Sequence, residues 1–427
     1  MTVVVLLDRP PLFDDLRQRV RECTESFPRL RQRVAEPSLG FGLPRWVDAT
    51  DFDLDAHVHL VNGGGTDTRG VLALAAQSAR NAIERTAPLW QIMVVDEMEG
   101  GTAAVILKFH HSLTDGVGGM ELMLSLLDWS RDPGGHIRSE PPPVAPARGS
   151  LLGQLLGRMS AGTRAVSGLP AAALRSAARP LDSLATTWAT GESLVKLLTP
   201  GTKRLSPVFK AHSDRWLFDT YELPMAELRR AAAAAGGTVN DVFMASVAGG
   251  LYRYHSKLGH EITYLRVNLP VSFRKSGDPV GGNRFTPVRF VVPVDEPDPR
   301  ERVRQLGTLC RQWRAEPALP MTEAIADVLS RLPGPATTAL LGSMMYGVDF
   351  VATNVPGIDQ RCYIAGAEVL RQFAFAPLAG AAVNFSLVSH AGTACIGVNM
   401  DEASVPDPDL LMACLRDGFD EVTAQTE

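Results

Sequence analysis

An apolar run of strand length, residues 102–109 (TAAVILKF), ends directly at two histidines and constrains the fold of this chain most. So continuous a run predicts a strand that is buried on both faces, as in a sheet covered by helices. Helical periodicity predicts one helix after this strand, at residues 118–129, and two helices before it, at residues 12–34 and 71–86. The first residues, MTVVVLLDRPP, predict another strand and not a signal peptide, because no basic segment precedes the short apolar run.

The length of 427 residues exceeds one ordinary core and predicts two or three domains. Residues 131–149 are rich in Pro, Gly and Arg, which is typical of a linker, and residues 150–199 have Leu/Ala-rich helical patterns. A second α/β block with a mixed sheet starts near residue 206. Its predicted helices cover residues 225–235, 238–257, 298–314 and 407–424. We therefore expect an N-terminal domain (1–130), a linker with a helical crossover (131–205) and a C-terminal domain (206–427).

Composition excludes several classes of protein. A hydrophobic fraction of 45% and a charged fraction of 21% are typical of a globular protein, and a net charge of -5 gives no reason to expect a nucleic-acid partner. The five cysteines are scattered without a Cys-x-x-Cys, which argues against a disulfide framework or a zinc site and fits a reducing cytoplasm. No apolar stretch is long enough to span a bilayer, so we expect any membrane contact to be peripheral.

The segment His110–Gly116 reads HHSLTDG and carries the chemistry that the sequence offers. A histidine with an ordinary pKa near ~6.5 can accept a proton at neutral pH and return it. Asp115 can anchor the loop through a charged hydrogen bond, and Gly116 permits a tight turn. The arrangement suits direct transfer of an acyl group from a thioester to a hydroxyl. The chain has no Gly-x-Ser-x-Gly elbow, in agreement with a transfer that needs no enzyme nucleophile.

The two histidines also allow a plainer interpretation, as a metal pair or as two satisfied core side chains. A metal site needs further ligands at suitable spacing, and adjacent residues of a strand point to opposite faces. We therefore expect no metal site, and we expect His110 and His111 to differ, one structural and one facing a cleft. His57 and His390 fall in or beside strand patterns, where a core or surface role is the default.

The motif HHxxxDG resembles the signature of the CoA-dependent acyltransferase superfamily, which includes chloramphenicol acetyltransferase and condensation domains. The rest of the chain is similar to the bacterial wax ester synthase/diacylglycerol acyltransferase family, and the matching segments occur in family order. These segments are RLRQRV (29–34), WVDATDFDLDAH (46–57), PLW (88–90), LKFHHSLTDGVGG (107–119), VNDVFMASVAGGLYRY (239–254), LPVSFR (269–274), GGNRFTPV (281–288), TNVPG (353–357) and GVNMD (397–401).

This resemblance implies two similar chloramphenicol-acetyltransferase-like domains with mixed sheets and an active-site tunnel between them. It implies that His111 is the general base, that His110 and Gly116 support the motif, and that Asp115 ties the loop to an arginine. Arg274 and Arg284 are equal candidates for that arginine. It further implies acyl-CoA as co-substrate and no bound cofactor.

Asn240 precedes Asp241 at the start of a predicted helix, where helix capping alone is one interpretation. The resemblance places this pair near the active site, where Asn240 could position substrate or the developing oxyanion. Pro88-Leu89-Trp90 is more typical of packing than of chemistry. Family members usually carry an additional segment before the first strand, so the resemblance leaves open which acyl chain length this protein accepts and whether it acts on the usual lipids.

The expected function is transfer of a fatty acyl group from acyl-CoA to diacylglycerol or a long-chain alcohol, which gives triacylglycerol or a wax ester. Two alternatives stay open: an acyltransferase of secondary metabolism that uses carrier-protein thioesters, and a non-catalytic lipid-binding homologue. The expected location is the cytoplasm, with peripheral contact at the inner membrane or at lipid bodies.

Overall fold

The structure, a computed structural model, describes residues 1–35, 44–113, 116–132, 203–272, 285–315 and 347–424. Two six-stranded sheets and one two-stranded ribbon form its β-structure. The ribbon pairs β2 (Gln32–Ala35) with β3 (Arg45–Asp48). Helices cover the large sheets, so the predicted α/β class with mixed sheets is confirmed.

The first sheet combines strands from both halves of the chain. Its strands are β1 (Thr2–Leu7), β4 (Val58–Asn62), β5 (Trp90–Asp96), β6 (Ala103–Phe109), β11 (Tyr363–Ile364) and β12 (Ala367–Phe375). Their order is β11-β12-β1-β6-β5-β4, with β4 and β5 parallel and the other pairs antiparallel. All seven residues of β6 are buried, as its continuous apolar sequence predicts.

The second sheet has the order β7-β14-β13-β10-β8-β9. Its strands are β7 (Trp216–Pro224), β8 (Tyr264–Ser272), β9 (Phe285–Pro293), β10 (Phe350–Ile358), β13 (Val383–His390) and β14 (Thr393–Asp401). The central strand β10 runs parallel to both of its neighbours, β8 and β13, and the outer pairs are antiparallel. This sheet is therefore mixed as well.

Helices pack on the sheets and complete two main hydrophobic cores. The helices are α1 (Phe13–Ser26), α2 (Thr68–Arg80), α3 (Gly116–Leu126), α4 (Met225–Ala235), α5 (Val239–Lys257), α6 (Pro299–Arg314) and α7 (Pro408–Ala424). The last four match their predicted ranges to within one residue at each end. Helix α5 is the central helix of the second core, and its Phe243, Leu251 and Tyr254 are fully buried.

Strand β12 links the two sheets. It pairs with β1 in the first sheet, and the chain then continues into β13 of the second sheet. It also passes close to β14, where a Cβ on Gly397 would lie 2.2 Å from the backbone oxygen of Ala374. No real side chain tolerates that distance, so a glycine is required at this crossing. The predicted domain boundaries by residue number stay a prediction, but the first sheet clearly takes two strands from beyond residue 206.

Three helix predictions in the N-terminal half were wrong at their ends. The helix predicted over residues 118–129 spans Gly116–Leu126, because Asp128 already pairs with Tyr363. The helix predicted over residues 12–34 ends at Ser26, and a 3₁₀ turn (Pro28–Arg31) and β2 follow. The reason is Pro28, which holds Phe27 outside the helical region. The helix predicted over residues 71–86 spans Thr68–Arg80 instead, because the Asp67 side chain caps it by accepting a hydrogen bond from the Gly70 N–H.

Most of the predicted linker and crossover, residues 133–202, lies outside the described residues. Among the residues that the structure describes, no helix combines the length and the apolar character needed to span a bilayer.

Candidate active site

The two histidines lie in a tight turn that begins where β6 ends. The His110 N–H donates to the Leu89 backbone oxygen at 2.9 Å, and the Leu113 N–H donates to the His110 oxygen at 3.0 Å. Phe109, the last residue of β6, pairs with Trp90 of β5. The turn is therefore fixed from the strand on one side and from the Pro88-Leu89-Trp90 segment on the other.

His111 lies in the wall of a cavity of about 330 Å³ between the two sheets. Small-molecule sites typically have volumes of about 300–1,000 Å³. The first sheet contributes Met1, Thr2, Val3, Phe109 and residues 372–375, and α3 contributes Gly119, Met120 and Met123. The second sheet contributes Asn268, Pro270, Val351, residues 353–355, Asn384, Ser386 and Val388. Ala376, Pro377 and Ala379, which follow β12, complete the wall. The lining is mostly apolar.

His110 is more exposed than His111 and is not among the residues that line this cavity. Its Nδ1 accepts a hydrogen bond from the Ser112 N–H at 3.1 Å and lies 2.7 Å from the Ser112 hydroxyl. Partial desolvation lowers the pKa of His110, and unfavourable Coulombic interactions with the N-terminal amino group, His111 and Arg85 lower it further. The His110 side chain therefore supports the turn, while His111 lines the cavity.

The other members of the predicted motif are described less fully. Gly116 begins helix α3. Asp115 and both of its predicted partners, Arg274 and Arg284, lie outside the described residues. The choice between the two arginines therefore stays a prediction.

Asn240 lies in the first turn of α5, but it does not cap the helix. The Thr238 side chain accepts from the Asp241 N–H and the Asp241 carboxylate accepts from the Thr238 N–H, which forms a capping box. The Asn240 Nδ2 is buried and has no hydrogen-bond partner among the described residues. Asn240 is also not among the residues that line the described cavity. Its predicted role with substrate stays a prediction.

The Pro88-Leu89-Trp90 segment supports the turn through packing. The indole N–H of Trp90 donates to the Leu30 oxygen at 2.8 Å, and the Trp90 ring stacks on His57 at 4.6 Å between centroids. The Nδ1 of buried His57 in turn lies 2.8 Å from the Trp90 backbone oxygen. His390 is likewise a buried structural histidine, with Nε2 at 2.8 Å from the Val369 oxygen.

Sequence reasoning missed a set of polar side chains in and beside the cavity wall. These residues are Asn268, Gln372, Asn384, Ser386 and Asn399, and each is at most 5% exposed. The sequence contained one signal for them, which is an amide residue within a largely apolar strand. A buried amide needs a hydrogen-bond partner, so its position is noteworthy. The sequence could not show that strands so far apart face one cavity.

The same residues show which other chemistries the site offers. Among the described residues, no group of three or more His, Cys, Asp or Glu side chains could hold a metal ion. All five cysteines are free and buried, and burial raises the pKa of the thiols, for Cys362 to about 12. Among the side chains that line the described cavity, His111 is therefore the one that titrates near neutral pH.

The protein has the same fold as condensation domains, which consist of two similar halves. The structure superposes on the first condensation domain of the calcium-dependent antibiotic synthetase with a TM-score of 0.60 and 16% identity, covering 100% of this chain and 90% of that one. The wax ester synthase/diacylglycerol acyltransferase from Marinobacter aquaeolei VT8 superposes with a TM-score of 0.64 and 19% identity, covering 100% of this chain and 94% of that one.

Sequence comparison identifies the family. Residues 5–243 match the wax ester synthase/diacylglycerol acyltransferase catalytic domain, and residues 281–423 match the WS/DGAT C-terminal domain. A Mycobacterium tuberculosis H37Rv protein named as a diacylglycerol O-acyltransferase is 36% identical over 428 residues, which cover 98% of this chain and 86% of that protein. A second such protein from the same strain, tgs1, is 26% identical over 433 residues, with coverages of 98% and 88%. The chain belongs to the wax ester synthase/diacylglycerol acyltransferase family.

Proposed function

We propose that this protein transfers a fatty acyl group from acyl-CoA to the hydroxyl of diacylglycerol or of a long-chain alcohol. The observation that carries the proposal is the position of His111 at the end of β6, in the wall of a largely apolar cavity between the two sheets. An apolar cavity suits fatty acyl chains, and a histidine is the usual proton acceptor for a hydroxyl nucleophile. The names of the relatives support the same reaction.

In the proposed mechanism, His111 removes the proton of the acceptor hydroxyl while the hydroxyl oxygen attacks the thioester carbonyl. The new C–O ester bond forms and the C–S bond breaks. The imidazolium then returns the proton to the thiolate of CoA, so the enzyme ends unchanged. A thioester is already activated, and no covalent acyl-enzyme is required. Acyl-CoA is thus a co-substrate, and the proposed reaction uses no bound cofactor.

Further roles within this mechanism are proposals that support the base. The hydrogen bond from the His110 N–H to Leu89 fixes the turn and therefore the direction of the His111 ring. Asp115 would tie the loop to Arg274 or Arg284. Asn240, whose buried Nδ2 has no partner among the described residues, would donate to the developing oxyanion once substrate is bound.

The direct test replaces His111 by alanine and measures acyl transfer from palmitoyl-CoA to dioleoylglycerol and to hexadecan-1-ol. We expect the variant to fold and to lose activity by at least about a hundredfold, because a general base contributes roughly 10²–10⁴-fold. The matched control is His260→Ala, which removes an exposed histidine far from the motif in sequence. It should keep wild-type activity.

Near wild-type turnover by His111→Ala would disprove the assignment of the base. The donor is tested in the same assay, with palmitoyl-CoA compared against a palmitoyl carrier protein. A strong preference for the carrier protein would favour acyl transfer in secondary metabolism. Tight binding of lipid vesicles with no turnover on any acceptor would favour a lipid-binding homologue.

We also propose that the enzyme meets its substrates at a lipid surface, the inner membrane or a lipid body. The reason is the chemistry of diacylglycerol and long-chain alcohols, which partition into lipid and not into water. Vesicle flotation tests this contact. Co-flotation with phosphatidylglycerol vesicles supports it, and protein that stays at the bottom of the gradient contradicts it.

A further inference from the structure

A row of amide side chains crosses the second sheet at one level. Val351 of β10 is in register with Asn268 of β8 on one side and with Asn384 of β13 on the other. Asn384 is in turn in register with Asn399 of β14. Because residues in register point to the same face, the three asparagines lie on one side of the sheet. Asn268, Val351 and Asn384 line the cavity that contains His111.

Two of the three asparagines have a structural task. The Asn384 Nδ2 donates to the Pro377 oxygen at 3.0 Å, and the Asn399 Nδ2 donates to the Ala376 oxygen at 3.0 Å. Ala376 and Pro377 follow β12 directly and form part of the cavity wall. These amides therefore hold the segment that leaves the first sheet, and their positions are explained by the fold.

Asn268 has no such task, and neither does Gln372 of β12. The Oδ1 of Asn268 and the Nε2 of Gln372 are buried and have no hydrogen-bond partner among the described residues. The two residues are only 5% and 2% exposed. Both line the cavity with His111, Asn268 from the second sheet and Gln372 from the first. A buried amide without a partner destabilises the fold, so its presence in a cavity wall points to a ligand.

Each of these amides offers two N–H donors and one acceptor, and rotation of the terminal amide exchanges the two ends. They lie in a cavity whose other walls are largely apolar. A primary alkanol has no polar atom besides the hydroxyl that reacts, which the proposed function assigns to His111. Diacylglycerol carries two ester carbonyls next to its hydroxyl, and each carbonyl can accept an N–H. The number and type of polar groups therefore match diacylglycerol.

We infer that Asn268 and Gln372 bind the ester carbonyls of a glycerolipid acceptor and make the enzyme prefer diacylglycerol over a long-chain alcohol. This inference rests on the proposed function and names its acceptor. An alkanol in the cavity leaves both amides without partners, and a site built to hydrogen-bond a substrate rejects an analogue that cannot do so. Asn268 and Gln372 thus act as specificity residues and not as part of the proton transfer.

The test compares kcat/KM for dioleoylglycerol and for hexadecan-1-ol, both presented in the same mixed micelles with palmitoyl-CoA. In Gln372→Met, which keeps the length and removes the amide, we expect the ratio of the two values to fall about tenfold. The loss should lie in the diacylglycerol value, while turnover of the alcohol persists and shows that the variant is folded. Asn268→Leu should act in the same direction. The matched control, Gln312→Met on the exposed face of α6, should leave the ratio unchanged.

An unchanged ratio in both variants would overturn the inference, whether neither kcat/KM value changes or both fall equally. An equal fall would place the amides at the thioester.

A binding measurement without turnover distinguishes failure of the inference from failure of the proposed function. We expect Gln372→Met to raise the Kd of dioctanoylglycerol about tenfold and to leave the Kd of dodecan-1-ol within about twofold of the wild-type value. If wild type binds diacylglycerol in this way but acylates neither acceptor, the proposed function fails and the binding site stands. If the two Kd values change equally, the inference fails.

Discussion

His255 shows at the scale of a single residue how the second core fixes one protonation state. Its side chain is fully buried in α5, with Nδ1 2.7 Å from the Leu251 oxygen and Nε2 2.7 Å from the Ser206 hydroxyl. A carbonyl only accepts, so Nδ1 carries the proton and Nε2 accepts from Ser206. The Ser206 oxygen also accepts from the Val208 and Phe209 N–H groups. This network anchors the chain where it enters the second sheet.

Burial lowers the pKa of His255 to about 4, and the nearby His260 contributes in the same direction. Its unfolded pKa is near ~6.5, so below that pH the unfolded chain takes up a proton that the folded protein refuses. We therefore predict that, as the pH falls from ~6.5 to about 4, His255 lowers the free energy of unfolding by up to about 1.4 kcal/mol for each pH unit. Above pH ~6.5 His255 should have no such effect. Urea unfolding at pH 7.5, 6 and 5 measures this change in wild type and in His255→Asn.

The variant should be less stable at pH 7.5, since it loses a packed ring, but it should lose less stability on acidification. Other histidines with lowered pKa values, such as His57 and His390, are present in both proteins and cancel in the comparison. Parallel loss of stability in the two proteins would show that His255 does not titrate as described.

The motif residues could be predicted from the sequence because their information is local. An apolar strand that ends at two adjacent histidines requires that they point in different directions, and the structure places only His111 in the cavity wall. Gln372 and Asn268 could not be predicted in the same way. Each looks like an isolated polar residue in a strand until the folded chain brings β8 and β12 to one cavity.

At the scale of elements, helical periodicity was sufficient for α4, α6 and α7, each of which has a buried stripe. Helix α5 is instead buried on all sides over residues 241–251, and the capping box of Thr238 and Asp241 marks its start. The strands that we did not predict include β7, β10 and β12. Strands β10 and β12 mix polar and apolar residues because part of each lines the cavity, and β7 is a largely half-buried edge strand, so their patterns are weak.

The crossing of β12 and β14 gives a prediction about elements. Gly397→Val would place side-chain atoms where Ala374 and Phe375 lie, with the Cβ already 2.2 Å from the Ala374 oxygen. We expect a loss of about 1–3 kcal/mol in the free energy of unfolding and lower acyl transfer, because β12 must shift and carries part of the cavity wall. Thr393→Val, at the half-buried start of the same strand, is the control. Wild-type stability in Gly397→Val would mean that the strands do not approach as closely as described.

At the scale of the whole molecule, the cavity exists only because two sheets from different parts of the chain face each other. The family resemblance implied this arrangement, and no periodicity could have shown it. The exchange of β11 and β12 into the first sheet ties the sheets together, and the segment after β12 then forms a wall of the cavity. Such a contact depends on pairing over more than 350 residues, as between Thr2 and Phe375, which local sequence patterns do not encode.

The central claim is that this molecule esterifies a lipid hydroxyl from acyl-CoA at His111. Mass spectrometry of the products tests it most directly, with purified protein, palmitoyl-CoA and an equimolar pool of dioleoylglycerol and long-chain alcohols. We predict triacylglycerol as the main product, wax ester as the minor one, and neither with His111→Ala. Free palmitate alone, or equal product from wild type and His111→Ala, would contradict the claim.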